Sequence, residues 1–540
     1  MKGKNALISV FDKTGIVEFA REWIALGGKI YSSGGTATRL RENGLEVTDV
    51  AILVGGKAIL GHKVVTLSRE LAAGLLADLN NPKEMKELAK LNIPVIDLVC
   101  VDCYPLKEAI VNPNCTLELV LDKTDIGGPT MLREGAKGRR IVLCDVNDRP
   151  KVIQWLKDGQ PDEKEFINSL CAKAEAYVAD YVLASAMYHG HGIYHGIIGE
   201  KIGDLRYGEN PWQKSLGLFK TFGDNQDPLS IDKFTTIVGN HGHINWTDVD
   251  RGLQTITHIA AACHKNLSSQ NKSFIAIGLK HGNCCGAAIA ESEELALQKM
   301  LDGNLLSIFG GTVMTNFLIT ESLAQIIRNY HSDDTKRLLD VIIAPDVSDE
   351  ALEVLKRKND ACKITINPAL EYLGPDCLDK NILIRPVRGG FLAQENYSFI
   401  LDLDSNDIQK FDMFEDLENH KLDLILAWAV NATSNSNTIT LVKDGMLIGN
   451  GVGQQDRKEC CELALKRAKE AGHYAEEAIV CSDSFFPFND GPKVLIEAGV
   501  RIILTTSGSI KDKDTIAVCN QSNVCLIMIP NTIGRGFYGH

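Results

Sequence analysis

The sequence sets a lysine and a histidine side by side, Lys280 and His281, inside Gly278–Ala288, which reads GLKHGNCCGAA. An imidazole, with an ordinary pKa of about 6.5, accepts and returns a proton at neutral pH. A neighbouring ammonium offsets negative charge that develops on a reacting oxygen. In an extended strand adjacent side chains point to opposite faces, which would separate the two groups. Gly282 and Asn283 tolerate φ > 0, and a sharp turn there lets both converge on one small molecule. The chemistry this predicts is proton transfer on a bound ligand with electrostatic support at the same centre.

Positioning the pair requires a strand that stops at it. Ser273–Leu279, SFIAIGL, is an apolar run of strand length that ends there. Phe274–Met300 and Thr438–Ala468 share one order of strand, glycine turn and helix, so the carboxy-terminal part reads as two related α/β subdomains. Upstream, Asn5–Val10 and Lys29–Ser32 read as strands. The helix between them carries Ile16, Phe19, Ala20, Trp23 and Ile24 at helical spacing. Then SSGGTATRLRENG runs from a Gly-rich turn into a helix, the arrangement in which backbone N–H groups and the helix dipole cradle a phosphate. Strands at Val95–Val101 and Arg140–Cys144 alternate with helices and predict a doubly wound parallel sheet. A long helix over Glu163–Met187 gives way to the Gly-rich HGHGIYHGIIGEK, which places a boundary near 188–203 and domains at 1–190 and 200–540. His189, His191 and His195 lie in that stretch without a companion carboxylate or cysteine, so no metal site is expected from them.

The formal charge of −13 over 540 residues argues against a nucleic-acid or anionic-membrane partner and leaves small molecules as the expected ligands. The longest apolar runs, such as Leu424–Val430, fall short of a membrane span. The start, MKGKNALISVFDKTG, turns polar too soon for a signal peptide. With no secretory signal, the fifteen cysteines point to a reducing cytoplasm. Cys100 and Cys103, if extended, sit about 10 Å apart on opposite faces, beyond disulfide reach.

The motifs around Lys280–His281 are LRYGENPWQ at Leu205–Gln213, FGG at Phe309–Gly311, VRGGFLAQ at Val387–Gln394 and SNSNTITLVKDG at Ser434–Gly445. GNGVGQQDR at Gly449–Arg457 and SDSFFPFNDG at Ser482–Gly491 complete the set. In this order and spacing they resemble the transformylase half of the bifunctional purine biosynthesis family, which joins AICAR formyltransferase to IMP cyclohydrolase. SVFDKTGIVEFA, SSGGTA and DIGGPTMLREGAK resemble the cyclohydrolase half. The resemblance implies a methylglyoxal-synthase-like first domain and two cytidine-deaminase-like subdomains after it. The zinc signature of working deaminases, H-x-E with P-C-x-x-C, is absent from the sequence.

The same resemblance assigns roles. His281 becomes the proton shuttle and Lys280 its electrostatic partner in formyl transfer from 10-formyltetrahydrofolate, a cosubstrate, to the 5-amino group of AICAR. Arg206 and Tyr207 become phosphate and nucleotide contacts, Arg206 having the planar donor fork suited to phosphate. Asn245 and Asn437 become polar contacts to the base and the transferring group. Phe485 and Phe486 offer flat walls for a pterin, with Asp490 beside them. Arg535 and His540 fall in the carboxy-terminal R-x-F-x-H ending, here one residue longer. In the cyclohydrolase half, Lys13, Ser33, Gly34, Gly35 and Thr36 would hold a nucleotide 5′-phosphate, with Thr66 a further substrate contact. Tyr104, Asp125 and Lys137 would share the acid–base work of ring closure. A homodimer is implied as well.

Several positions depart from the pattern. The loop GHKVVTLSR, Gly61–Arg69, has Val65 at the family's lysine position, Lys63 at its arginine, and Ser68 and Ala72 at its histidines. Phe11 replaces a small polar residue, Cys284 a proline and Trp212 a histidine. Valine neither donates a proton nor neutralises charge, so ring closure is expected to be impaired unless His62 or Lys63 reaches in. The readings are therefore a formyltransferase with weakened cyclisation, a monofunctional formyltransferase with a nucleotide-binding first domain, or a non-catalytic sensor of purine intermediates or folate.

Overall fold

The computed structural model describes residues 4–60, 64–214, 216–223, 226–267, 273–332, 336–411 and 417–538. The chain divides into two compact units, Met1–Glu200 with Thr221–Asn225, and Lys201–Lys220 with Gln226–His540.

The first unit is built on strands β1 (Asn5–Ser9), β2 (Lys29–Ser32), β3 (Thr48–Asp49), β4 (Leu98–Val101) and β5 (Ile141–Leu143). They form one sheet in the order β3-β2-β1-β4-β5, with every neighbouring pair parallel. Alternate strand residues enter two cores because successive side chains leave opposite faces. Ala6, Ile8, Ile30, Leu98 and Leu143 pack with Phe19, Trp23 and Val152 on one side. Leu7, Val99, Val101 and Val142 pack with Leu71, Leu75, Leu132 and Val178 on the other. The sheet is thus doubly wound, and its strands empty into loops along one edge, where such folds bind ligands.

Strands β6 (Gly199–Gly203) and β7 (Leu218–Thr221) pair with each other. The second unit carries β8 (Thr235–Val238), β9 (Phe274–Lys280), β10 (Asn283–Ala290), β11 (Thr312–Thr315), β12 (Val341–Ala344) and β13 (Lys363–Ile366). A separate hairpin follows, β14 (Ile382–Val387) with β15 (Gly390–Glu395). The remaining strands are β16 (Gln409–Phe411), β17 (Ile439–Lys443), β18 (Met446–Gly451), β19 (Ile479–Ser482), β20 (Ile502–Ser507) and β21 (Cys525–Pro530).

One twelve-stranded sheet runs β16-β21-β20-β19-β17-β18-β10-β9-β11-β12-β13-β8. Its halves mirror each other. Each opens with an antiparallel hairpin, β9–β10 or β17–β18, followed by three mutually parallel strands. The hairpins meet antiparallel at Ala288 and Met446. A helix precedes each hairpin, His243–Asn266 in the first half and Lys421–Ala432 in the second, and both enter the shared core through Ile256, Ile259, Leu426 and Val430. From Asp423 to Ala432 every residue of the second of these helices is buried, as a helix apolar on every face must be.

Candidate functional site

In the second unit Lys280 ends β9 and pairs with Asn283, the first residue of β10, leaving a two-residue turn of His281 and Gly282. Both have positive φ, 52° and 72°, the geometry of a type I′ hairpin. The turn therefore sits one residue earlier than Gly282–Asn283. His281 is itself the tip and is exposed, whereas Lys280 is half-buried. The Lys280 ammonium donates to the Phe309 carbonyl at 2.6 Å, which ties it to the FGG motif.

Beneath the tip lies Asp248, whose Oδ1 accepts the Gly282 N–H at 2.7 Å and whose Oδ2 stands 3.5 Å from the Thr312 hydroxyl. Burial pushes this carboxyl above the ordinary range; the Gly282 N–H and the nearby His281 ring pull it back. Asn283 Oδ1 accepts the Asn435 N–H at 3.1 Å, so the turn of the first half is held by the SNSNT loop of the second.

That loop is fixed by a buried ion pair. Arg457 donates to Asp483 and, at 2.9 Å, to the Ser482 hydroxyl. Asp483 also accepts the Ser436 hydroxyl at 2.5 Å and the Thr438 N–H at 3.0 Å. The second arm of the Arg457 fork reaches Asn437 Oδ1 at 2.6 Å. Asn437 is thereby oriented, with its amide nitrogen directed to the Gln455 carbonyl at 3.3 Å.

Tyr207 donates its hydroxyl to Asn245 Oδ1 at 2.8 Å, and the same oxygen accepts the Gly242 N–H at 3.0 Å. Asn245 is buried and its oxygen is committed to the start of the helix. Arg206 is exposed, its backbone N–H bonded to His241 O at 2.9 Å. Of the phenylalanines, Phe486 is 2% exposed and packs into the core with Cys461 and Leu495. It is unavailable for stacking, which leaves half-buried Phe485 and Phe488, 64% exposed, as flat walls. Asp490 opens a helix and accepts its neighbour's N–H, from Gly491, at 2.9 Å. Arg535 is exposed and lies over the Phe537 ring at 5.4 Å. His540 is outside the described residues, but Tyr538 anchors the carboxy-terminal segment. Its N–H donates to Ser434 O at 3.1 Å, and its ring lies 4.3 Å under the Arg251 guanidinium.

In the first unit the strand ends gather the other set. Ser33 starts the helix Gly34–Glu42 without capping it by its side chain, which leaves first-turn N–H groups free for an anion. Thr36 contributes only its backbone there, because its buried hydroxyl donates to Val10 O at 3.0 Å and accepts Val10 N–H at 3.2 Å. The Lys13 ammonium is held on the carbonyls of Val10 and Phe11, and burial lowers its pKa.

Asp125 is buried enough that its carboxyl is pushed up, against the pull of the Gly128 N–H at 2.8 Å. A Cβ placed on Gly127 would come within 2.9 Å of Thr66 Oγ1 and 3.9 Å of Asp125 Oδ1, so Thr66 and Asp125 flank one spot. Tyr104, 44% exposed, stands edge-on to Phe11 with 5.8 Å between centroids. Lys137 stands at the far end of an intervening helix. It closes the helix Gly127–Lys137 that Asp125 precedes, and ten residues of helix put about 15 Å between its ends. Ser68 is no substitute for an imidazole either: its hydroxyl accepts the Leu71 N–H at 3.1 Å and caps a helix. His62 and Lys63 lie outside the described residues.

Sequence reasoning missed Asp248, three residues after Asn245, and Arg457 and Asp483, which stand at the end of GNGVGQQDR and inside SDSFFPFNDG. The signal was a charged residue in a stretch otherwise headed for the core. Among the described residues no group of three or more His, Cys, Asp or Glu is arranged to hold a metal ion, and no helix is long and apolar enough to cross a membrane.

A doubly wound α/β unit with an uncapped helix start at a Gly-rich turn, joined in one chain to a duplicated α/β unit with a Lys–His hairpin, is the architecture of a two-part enzyme. The MGS-like domain family matches residues 15–130, and the AICARFT/IMPCHase bienzyme family matches residues 137–467. The bifunctional purine biosynthesis protein PurH of Persephonella marina is 32% identical over 97% of this chain and 98% of its own length. That of Thermoanaerobacter sp. is 33% identical over the same shares. The chain belongs to the AICARFT/IMPCHase bienzyme family, the AICAR formyltransferase and IMP cyclohydrolase enzymes of purine biosynthesis.

Proposed function

We propose that the second unit transfers the formyl group of 10-formyltetrahydrofolate to the 5-amino group of AICAR, with His281 removing the amine proton and returning it to the departing folate nitrogen. Lys280 supplies positive charge to the tetrahedral oxyanion. The observation that carries this reading is the His281–Gly282 tip, propped on Asp248 from one side and braced through Asn283 by Asn435 from the other. Such bracing costs nothing at the moment of reaction, which is how fixed groups lower a barrier. Arg206 and Tyr207 are the nucleotide contacts, and Phe485 with Phe488 the pterin wall. Residues 1–190 and 200–540 are the corresponding functional domains.

The first unit binds the nucleotide through Lys13 and the Ser33–Thr36 cradle, with ring closure weakened. Val65 supports this reading, together with a capping Ser68 and a distant Lys137. Protein mixed with AICAR and 10-formyltetrahydrofolate, with products separated, tests the whole. Formyl-AICAR accumulating ahead of a slow appearance of IMP is expected. Formyl-AICAR alone makes the first unit a binding domain, and no product at all makes the chain a sensor. Val65→Lys should raise the rate of IMP formation; an unchanged rate removes the argument from that loop.

The protein is further proposed to be a homodimer. Every residue of β15 is exposed, Phe391 and Leu392 included, and an isolated two-stranded hairpin is marginal in water. Sedimentation of the wild type and of Phe391→Glu/Leu392→Glu tests this, with monomer gained in the variant as the expected result.

A further inference from the structure

Arg328 stands near the end of the helix Glu321–Asn329 and is only 8% exposed. Its Nε is fully buried with no hydrogen-bond partner, and its guanidinium forms no ion pair among the described residues. Burial lowers its pKa, with Cys362 acting against that shift and Arg357 with it. The neighbouring arginines are satisfied. Arg337 donates to Ile327 O and Tyr330 O at 2.9 and 2.6 Å, and Arg357 donates to Leu339 O and pairs with Asp340 at 3.2 Å. Among the described residues no carboxylate pairs with this guanidinium, and a cation held out of water is stabilised by an anion.

Arg328 lines a groove of about 430 Å³ between its own helix and Asp349–Leu355. Lys336 adds a second cation, while Glu321, Glu350 and Glu353 stand on the exposed rim. Glu353 is taken by Lys356 at 2.6 Å. Gln325 and Asn329, also in the lining, are bonded to each other at 2.7 Å. The floor thus asks for negative charge and the rim for hydrogen-bond donors.

We infer that this groove is a binding site, separate from both reaction centres, for a small phosphate ester whose phosphate meets the Arg328 fork and whose hydroxyl or amino groups meet the rim carboxylates. A planar guanidinium matches phosphate with two parallel bonds, and the volume suits a sugar phosphate or mononucleotide. Phosphate alone would engage the floor only.

Two measurements test it on the full-length protein. Thermal unfolding is followed for wild type and Arg328→Met with ribose 5-phosphate, inorganic phosphate or ribose as probe. Phosphate bound at the reaction centres contributes equally to both proteins, so the difference between them isolates the groove. Ribose 5-phosphate at about ten times its Kd should raise the wild-type Tm by roughly 1–2 °C more than that of Arg328→Met. Inorganic phosphate should give a smaller excess, and ribose none. Equal shifts in the two proteins overturn the site, and an excess for phosphate that the ester does not exceed overturns the reading of the rim. Crystals soaked in selenate provide the direct readout. An anomalous selenium peak within hydrogen-bond distance of the Arg328 guanidinium is expected, and its absence while other anion sites fill refutes the proposal.

Discussion

Asp248 and Gly282 are 34 positions apart, and the carboxylate of the first holds the backbone N–H of the second at 2.7 Å. The helix that begins at His243 thereby dictates where the tip of the β9–β10 hairpin points. Asp248→Ala removes the prop and should lower kcat for formyl transfer by about 100-fold through misplacement of His281, with KM little changed. Asp248→Asn keeps an acceptor for the same N–H and should retain most of the rate. Steady-state kinetics of the pair separates the effect from a general loss of fold, since both remove the charge and only one removes the bond.

Arg457 and Asp483 form the second support. Arg457→Ala strands a buried carboxylate and should cost about 3–5 kcal/mol in urea unfolding. It also frees Asn437, so activity should fall further than stability explains. Arg457→Lys keeps the charge but not the fork that reaches Ser482, Asp483 and Asn437 together, and should rescue stability better than activity.

In the first unit Gly128 is required by close approach. A Cβ there would sit 2.5 Å from Asp125 Oδ2 and 3.1 Å from Cys103 Sγ. Gly128→Ala should displace the Asp125 carboxyl and cut ring closure by about 100-fold, in wild type or in Val65→Lys, while formyl transfer stays as it was. An IMP-formation assay started from formyl-AICAR reads this directly.

Two buried histidines contribute to the pH dependence of stability. His241 and His258 have pKa values lowered to about 4, burial being the main cause in each. The unfolded chain protonates them near the ordinary imidazole value of about 6.5, so it binds more protons than the folded chain between there and pH 4. Their contribution is therefore full above that range and is lost as pH falls through it, at up to about 1.4 kcal/mol per pH unit for each group. His258 Nδ1 is hydrogen-bonded to Gln254 O at 2.7 Å. His258→Leu should thus flatten the pH dependence of urea unfolding between pH 6 and 5 by about 1 kcal/mol per pH unit.

The double winding of the first sheet, the repeated strand and glycine turn of the second unit and the Lys280–His281 pair were legible in the residues alone, though the strand that follows each turn, β10 or β18, was not. Each rests on information that is local: apolar period, glycine placement, and neighbours along the chain. The resemblance then added roles, and these were less secure where a side chain's direction mattered. Phe486 and Phe488 are two residues apart in one motif, yet one enters the core and the other faces water. Lys137 and Asp125 share a motif but occupy opposite ends of a helix.

What the amino-acid order determined by itself is which segments bury themselves and which groups able to move a proton or hold a phosphate are carried along. What only the tertiary structure decided is which distant groups brace them: Asp248 under Gly282, Asn435 against Asn283, Arg457 between Asp483 and Asn437. Those bonds join residues from 20 to 152 positions apart. Periodicity cannot reveal them, because they depend on where separately formed strands and helices come to rest.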